Sequence, residues 1–221
     1  MLLETPITYT SLQTRVYDIL RVSILNGELK PGESLSLTEI SKRLSVSTTP
    51  VREALRRLEA QGLITFSSQK RITVTELSVE ELEEFYWIRI PLELKAFSRN
   101  FSKLKNAEIK ELRQLNRSMS KSGISAAEWV RLNRKFHMIL YGAAKSPVLK
   151  GALAWLWDNV TPYLNIYAND RPRVDQAAIM HNKIISAVEE GSAEDGLRLL
   201  DEHLRSGYLV ADSLTEKLKA V

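Results

Sequence analysis

The chain has 221 residues, of which 44% are hydrophobic and 26% charged, with nine glycines, seven prolines and no cysteine. This composition excludes a fibrous or disulfide-stapled protein, and the absence of thiols removes every cysteine-ligated zinc or iron–sulfur site. The net charge is +4, and residues 36–71, with seven Lys/Arg against three acids, account for all of it. No uncharged apolar run approaches the roughly 18 residues of a membrane span, and the start MLLETPITYT has no basic stretch leading into an apolar one. A cytoplasmic protein with no membrane partner is therefore expected.

Beyond a tail at residues 1–9, Val16, Ile19, Leu20, Ile24 and Leu25 recur at helical spacing and stop at Asn26-Gly27, which predicts a first short helix. Ser36-Leu37-Thr38-Glu39 has the capping-box pattern, and Leu37, Ile40 and Leu44 supply the inner face of a second helix. After the break Ser45-Val46-Ser47, Pro50 sits in a first turn, where its missing N–H costs nothing. Val51, Ala54, Leu55 and Leu58 then repeat as the buried stripe of a third helix. Thr48, Arg52 and Arg56 stand four apart on the opposite side, a ridge able to enter a major groove. Arg52 is the best base reader there, because a guanidinium can donate two parallel bonds to guanine O6 and N7. Ser47, Thr48 and Thr49 at the helix start suit phosphate or a thymine methyl. Such a ridge is, equally, what an ordinary solvated helix face looks like.

Two β-prone runs, Leu63–Phe66 and Ile72–Thr75, flank the polar Ser67-Ser68-Gln69-Lys70-Arg71, which predicts a hairpin with a basic tip for phosphate or the minor groove. Three helices and a hairpin make a winged helix-turn-helix over residues 10–75. From Ser78 onward the pattern is helical, with capping boxes at Ser78–Glu81 and Ser125–Glu128, further starts at Asn106 and Ser146-Pro147, and a stop at Gly191. About six helices over residues 76–221 predict an all-helical bundle, so the fold class is mainly α.

In the first of these helices Leu82, Phe85, Arg89, Leu92 and Ala96 form a stripe that places an arginine inward. A buried guanidinium needs an anion, either Glu93 one turn on or a carboxylate-bearing ligand. Asn133 and His137, four apart, share a face with Val130 and Leu140, a spacing that lets two side chains address one ion. His181 aligns with Ala177, Ile184 and Val188, and His203 with Leu199, Leu200 and Val210. The chain's three histidines thus all lie on inward faces, where imidazole suits zinc, nickel and similar ions, although periodicity says nothing of whether they meet.

Three stretches carry a family resemblance: Leu29-Lys30-Pro31-Gly32-Glu33-Ser34-Leu35, then Leu44 through Leu58 (LSVSTTPVREALRRL), then Gly62-Leu63-Ile64. Together they resemble the DNA-binding domain of GntR-family transcriptional regulators. The family commonly has arginine where Thr38 and Thr48 stand and a glycine-containing wing where this chain has Ser68-Gln69-Lys70-Arg71. The resemblance therefore implies a DNA-facing set of Thr38, Ser47, Thr48, Thr49, Arg52, Arg56, Gln69, Lys70 and Arg71, and an operator unlike the family's usual one. The run Asn133-Arg134-Lys135-Phe136-His137, His181 with Glu190-Gly191, and His203-Leu204 is similar to the helical effector domain of FadR-type members, and its short length is closest to the VanR branch. There an Asp-x3-His pair and two later histidines bind a divalent metal. The resemblance implies a metal set of Asn133, His137, His181 and His203, with an uncharged amide in place of the aspartate, and Arg89 beside it as the contact for a small organic acid.

The reading is a homodimeric, ligand-responsive regulator that binds a pseudo-palindromic double-stranded operator, with residues 76–221 sensing the ligand and forming the dimer. The alternatives are a metal-dependent hydrolase, against which stands the lack of an evident general base such as an HExxH glutamate, and a constitutive DNA-binding protein with a purely structural helical domain.

Overall fold

A computed structural model describes residues 11–67, 71–142 and 145–208. Contacts divide the chain into two compact units, Met1–Glu76 and Leu77–Val221.

In the first unit α1 (Leu12–Leu25) leads to β1 (Ser34–Leu35), α2 (Leu37–Leu44), α3 (Thr48–Glu59), β2 (Ile64–Phe66) and β3 (Ile72–Val74). The hairpin strands pair antiparallel, Thr65 opposite Thr73, and β1 adds to the far edge of β3 with Leu35 opposite Ile72. The sequence pattern had no place for β1, because two residues carry no periodicity. Ser36 caps α2 by accepting from the Glu39 N–H. The turn from α2 into α3 is made by Ser45 in the left-handed region at φ 53°, and the Val46 N–H reaches back to the Ser41 carbonyl. Val16, Leu20 and Ile24 of α1, the α3 stripe, and Leu63, Ile64, Ile72 and Val74 close one apolar core.

The second unit runs α4 (Val79–Asn100), a 3-10 turn at Phe101–Lys103, α5 (Asn106–Met119), α6 (Ala126–Leu140), α7 (Pro147–Tyr167), α8 (Arg171–Glu190) and α9 (Ala193–Tyr208). Ser78, Ser125 and Ser146 each accept a backbone N–H at a helix start, and Gly191 ends α8 at φ 73°, a left-handed cap that glycine takes without steric cost. Asn106 opens α5 one residue after Lys105, whose backbone N–H donates to Glu108. Every helix contributes to one apolar core. The buried face of α4 keeps Leu82, Arg89 and Ala96 of the expected stripe and differs at the other two positions. It runs Leu82, Tyr86, Arg89, Glu93, Ala96 and Asn100, while Phe85 and Leu92 are only half-buried. An apolar count selects Phe85 and Leu92, but the helix turns its polar Tyr–Arg–Glu row inward because partners wait there.

Candidate functional site: a buried histidine triad and an exposed helix ridge

Three helices of the second unit deliver one imidazole each to a single point: His137 from α6, His181 from α8 and His203 from α9, all buried. The His181 Nε2 lies 3.1 Å from the His203 Nε2, and the His203 Nε2 lies 3.3 Å from the His137 Nε2. Phe136 stacks on the His181 ring with centroids 4.2 Å apart, and the His137 and His203 rings lie nearly parallel at 5.2 Å.

Burial, first of all, pushes the His137 and His181 imidazoles well below the ordinary histidine range, with His203 adding to the shift in both. His203 is pushed down to about 3 by burial and by the nearby Arg89 guanidinium. All three rings are therefore neutral around pH 7, the form that offers a lone pair to a metal. A tetrahedral centre with metal–nitrogen bonds of about 2.0–2.1 Å separates its nitrogens by about 3.3–3.4 Å, and an octahedral one by about 2.9 Å. The two separations at His203 fall in that interval and all three donor atoms lie within 4.8 Å of one another, so the triad is a donor set of the right type for a divalent cation.

Around the triad stands a second layer of polar groups. The His181 Nδ1 is 3.1 Å from the Asn116 Oδ1, and the Asn116 amide nitrogen donates to the Ala178 carbonyl at 2.9 Å. That leaves the Asn116 oxygen to accept, so His181 carries its proton on Nδ1 and presents a bare Nε2 to the triad. The His137 Nδ1 meets the Tyr141 hydroxyl at 2.7 Å, and Tyr141 donates onward to Glu93. Gly142 allows this end of α6 to press against α4, since a Cβ there would fall 2.4 Å from the Asn100 Oδ1.

Arg89 has the first of the two partners that its sequence position left open. Its Nε donates to the Glu93 Oε1 at 3.0 Å and an Nη donates to the Tyr86 hydroxyl at 3.0 Å, while Trp157 donates to the same Glu93 oxygen at 2.8 Å. Burial alone would lower the Arg89 pKa, but the Glu93 carboxylate outweighs it and holds the guanidinium above its ordinary range. Arg89 also borders a small cavity of about 20 Å³, together with Asn133, His203, Tyr86, Trp129 and Tyr167, room for about one water. Asn133 is buried, and its Oδ1 has no hydrogen-bond partner. The structure thus brings Arg89, Asn133 and His203 to one cavity wall and the three histidines to one point. Glu93, read from the sequence only as the ion-pair partner of Arg89, and Tyr141, Trp157 and Asn116, also members of this network, were missed as site residues. Their one sequence signal is a polar residue on an apolar stripe, as with Asn116 between Leu112 and Met119, or helical spacing from a histidine, as with Tyr141.

In the first unit Thr48, Thr49, Arg52 and Arg56 are exposed on α3, Ser47 caps its start without giving its side chain to the helix, and Thr38 is exposed on α2. Arg56 pairs with Glu53 at 3.3 Å. Arg71 is exposed at the loop end of the hairpin, where it pairs with Ser67, while Gln69 and Lys70 lie outside the described residues.

A family model for bacterial regulatory proteins of the gntR family matches residues 12–74, and one for the FCD domain matches residues 84–206. The chain belongs to the GntR family of transcriptional regulators and carries an FCD domain. It is 31% identical over 191 residues to the uncharacterized HTH-type transcriptional regulator YdhC of Bacillus subtilis, covering 84% of each chain. It is 27% identical to the regulator McbR of Escherichia coli, covering 86% of this chain and 87% of that one. A probable D-xylose utilization operon repressor of Paenarthrobacter nicotinovorans is 31% identical over 93% of this chain and 90% of its own. The solved structure of E. coli McbR/YncC superposes with a TM-score of 0.81 at 24% identity, covering 94% of this chain and all of that one, and so shares the fold. The family sets aside the hydrolase reading: this GntR protein is a regulator with a DNA-binding head and an effector domain. No helix among the described residues is long and apolar enough to cross a membrane.

Proposed function

We propose that this GntR regulator binds a pseudo-palindromic operator as a homodimer and that a small organic acid, held together with a divalent metal at the histidine triad, sets its operator affinity. The observation that carries this reading is the meeting of three neutral imidazoles in the interior of the effector domain, with the His203 Nε2 at 3.1 Å and 3.3 Å from those of His181 and His137. His137, His181 and His203 would hold the ion through Nε2, and Asn133, whose buried Oδ1 lacks a partner, would turn that oxygen toward it. Zinc or nickel suits such a nitrogen-rich set. When bound, the metal supplies a Lewis-acidic anchor for a carboxylate.

The triad is neutral and the Asn133 amide is neutral, so a divalent ion held there keeps its charge and attracts an anionic ligand such as the effector's carboxylate. Arg89, on the wall of the same cavity, meets the acid's far oxygens with the N–H donors left over from Glu93 and Tyr86. The present cavity has room for about one water, so entry of any acid moves Tyr86, Tyr167 or Leu204. This is the local rearrangement that a regulatory site requires. At the other end of the chain, Arg52 and Arg56 of the α3 ridge read the major groove, with Ser47, Thr48 and Thr49 on phosphate and Thr38, Gln69, Lys70 and Arg71 on the flanking backbone. Trp87, 80% exposed on α4, offers the kind of apolar surface on which two copies would pair.

The test is the melting temperature of metal-stripped protein against divalent metals crossed with a panel of organic acids, since a ligand of the native state stabilises by mass action. The proposal expects an acid to stabilise only when metal is present, and His137→Ala to remove both shifts. Stabilisation by acids without metal, or by nothing in the panel, would contradict it.

A further inference from the structure

We infer that Glu93, acting through Tyr141, is the positioning residue that fixes which nitrogen of His137 faces the triad. The geometry runs in one line: Arg89 and Trp157 donate to one Glu93 oxygen, Tyr141 donates to the other, and the Tyr141 oxygen meets the His137 Nδ1 at 2.7 Å. A tyrosine hydroxyl has a single proton. One Glu93 oxygen is taken by the Arg89 ion pair, the other accepts from Tyr141, and the Tyr141 proton points at it. The Tyr141 oxygen is then left as an acceptor, so the His137 Nδ1 must carry the proton and its Nε2 must be bare toward His181 and His203.

Glu93 is fully buried and lies on α4, which contributes no histidine to the triad. In this arrangement Glu93 never touches the ion. It orders the hydrogen bonds so that His137 is ready to ligate before any ion arrives, as a carboxylate does for a metal-bound imidazole when it holds the other ring nitrogen. Asn116 does the same for His181 without a charge. His203, whose Nδ1 has no hydrogen-bond partner, is the ring that can hold a proton on Nε2 and share it with the other two when no ion is bound. The role in metal capture rests on the proposed metal reading. The tautomer does not.

The experiment is long-range nitrogen–proton NMR of the histidine rings in the full, metal-stripped protein, paired with titration by Zn²⁺ alone. The wild type is expected to show His137 with a protonated Nδ1 and a bare Nε2. Glu93→Gln keeps the shape but can turn an amide N–H toward Tyr141. The tyrosine hydroxyl then points its hydrogen at the His137 Nδ1, which must accept, and the ring shifts to the Nε2–H tautomer, an outcome that mere loosening of the core does not produce. Tyr141→Phe removes the link and leaves His137 in a mixture of forms. Both variants are expected to bind Zn²⁺ about 10- to 100-fold more weakly than wild type. A wild-type His137 with its proton on Nε2 would overturn the inference, with no variant needed. Variants that keep the wild-type ring form and zinc affinity would overturn it as well. Absence of zinc uptake by the wild type would remove the metal reading, and the ring signals alone would then support or overturn the relay.

Discussion

The two units place their polar side chains in opposite settings. On α3 the Arg52 and Arg56 ridge stands in water, tied to little beyond one surface pair with Glu53. In the effector domain Arg89, Glu93, Asn133 and three histidines are shut inside the bundle, and nearly every donor and acceptor among them is matched. A surface that reads DNA stays hydrated until it meets phosphate and base edges, so its residues can be exchanged with little effect on folding. A buried network must satisfy itself, and each member is coupled to the others. The exposed ridge residues of the head are thus largely independent of one another. Those of the effector domain act as a set.

The largest effect that separates the two settings is loss of Glu93. Glu93→Ala leaves a guanidinium buried without its carboxylate, and urea unfolding of the effector domain is expected to lose about 3–5 kcal/mol, whereas Arg52→Ala leaves the unfolding midpoint in place. Equal stability for both variants would erase the contrast.

Acid sharpens it next. His203 in the folded protein titrates at about 3, against about 6.5 for a free imidazole. Above pH 6.5 the ring is neutral in both states and has no effect on stability. As pH falls below 6.5 the unfolded ring takes up a proton that the folded ring refuses, so stability falls down to about pH 3 and then levels. At about 1.4 kcal/mol per pH unit, this ring alone destabilises the metal-stripped domain by a few kcal/mol, and the lowered pKa values of His137 and His181 act in the same direction. Melting curves of the metal-stripped protein from pH 7 to pH 4 measure it; a flat profile would mean that the rings are not held neutral.

The head carries the smallest effect. On an operator selected from random duplexes, Arg52→Ala is expected to cost about 1–3 kcal/mol of binding and to relax preference at one base position, while Arg71→Ala weakens all sequences alike and lowers the salt slope by about 1. Uniform weakening by Arg52→Ala would assign that arginine to phosphate.

Much of this contrast was legible in the chain. The α3 stripe and the exposure of the opposite ridge follow from spacing alone, because a helix with one buried face leaves the other in water. The inward aspect of His137, His181 and His203 followed in the same way. Their meeting did not, since it depends on how α6, α8 and α9 pack, a long-range outcome that no local period encodes. Arg89 and its Glu93 partner were legible, but the inward turn of Tyr86 in the same row was hidden for a related reason. Apolar counting chose Phe85 and Leu92, and only the presence of Trp157 and Tyr141 across the core makes a polar row the better one to bury. Strand β1 was too short to announce itself.

The most direct test of the account is operator affinity, by fluorescence anisotropy, of metal-stripped protein with and without Zn²⁺ or Ni²⁺ and with and without the acid that stabilises it, in wild type and in His181→Ala. The account predicts a 5- to 150-fold change in operator affinity, a coupling of about 1–3 kcal/mol, that appears only when metal and acid are both present and vanishes in the variant. Operator affinity that is the same in all four conditions would contradict it and leave the triad a buried structural cluster.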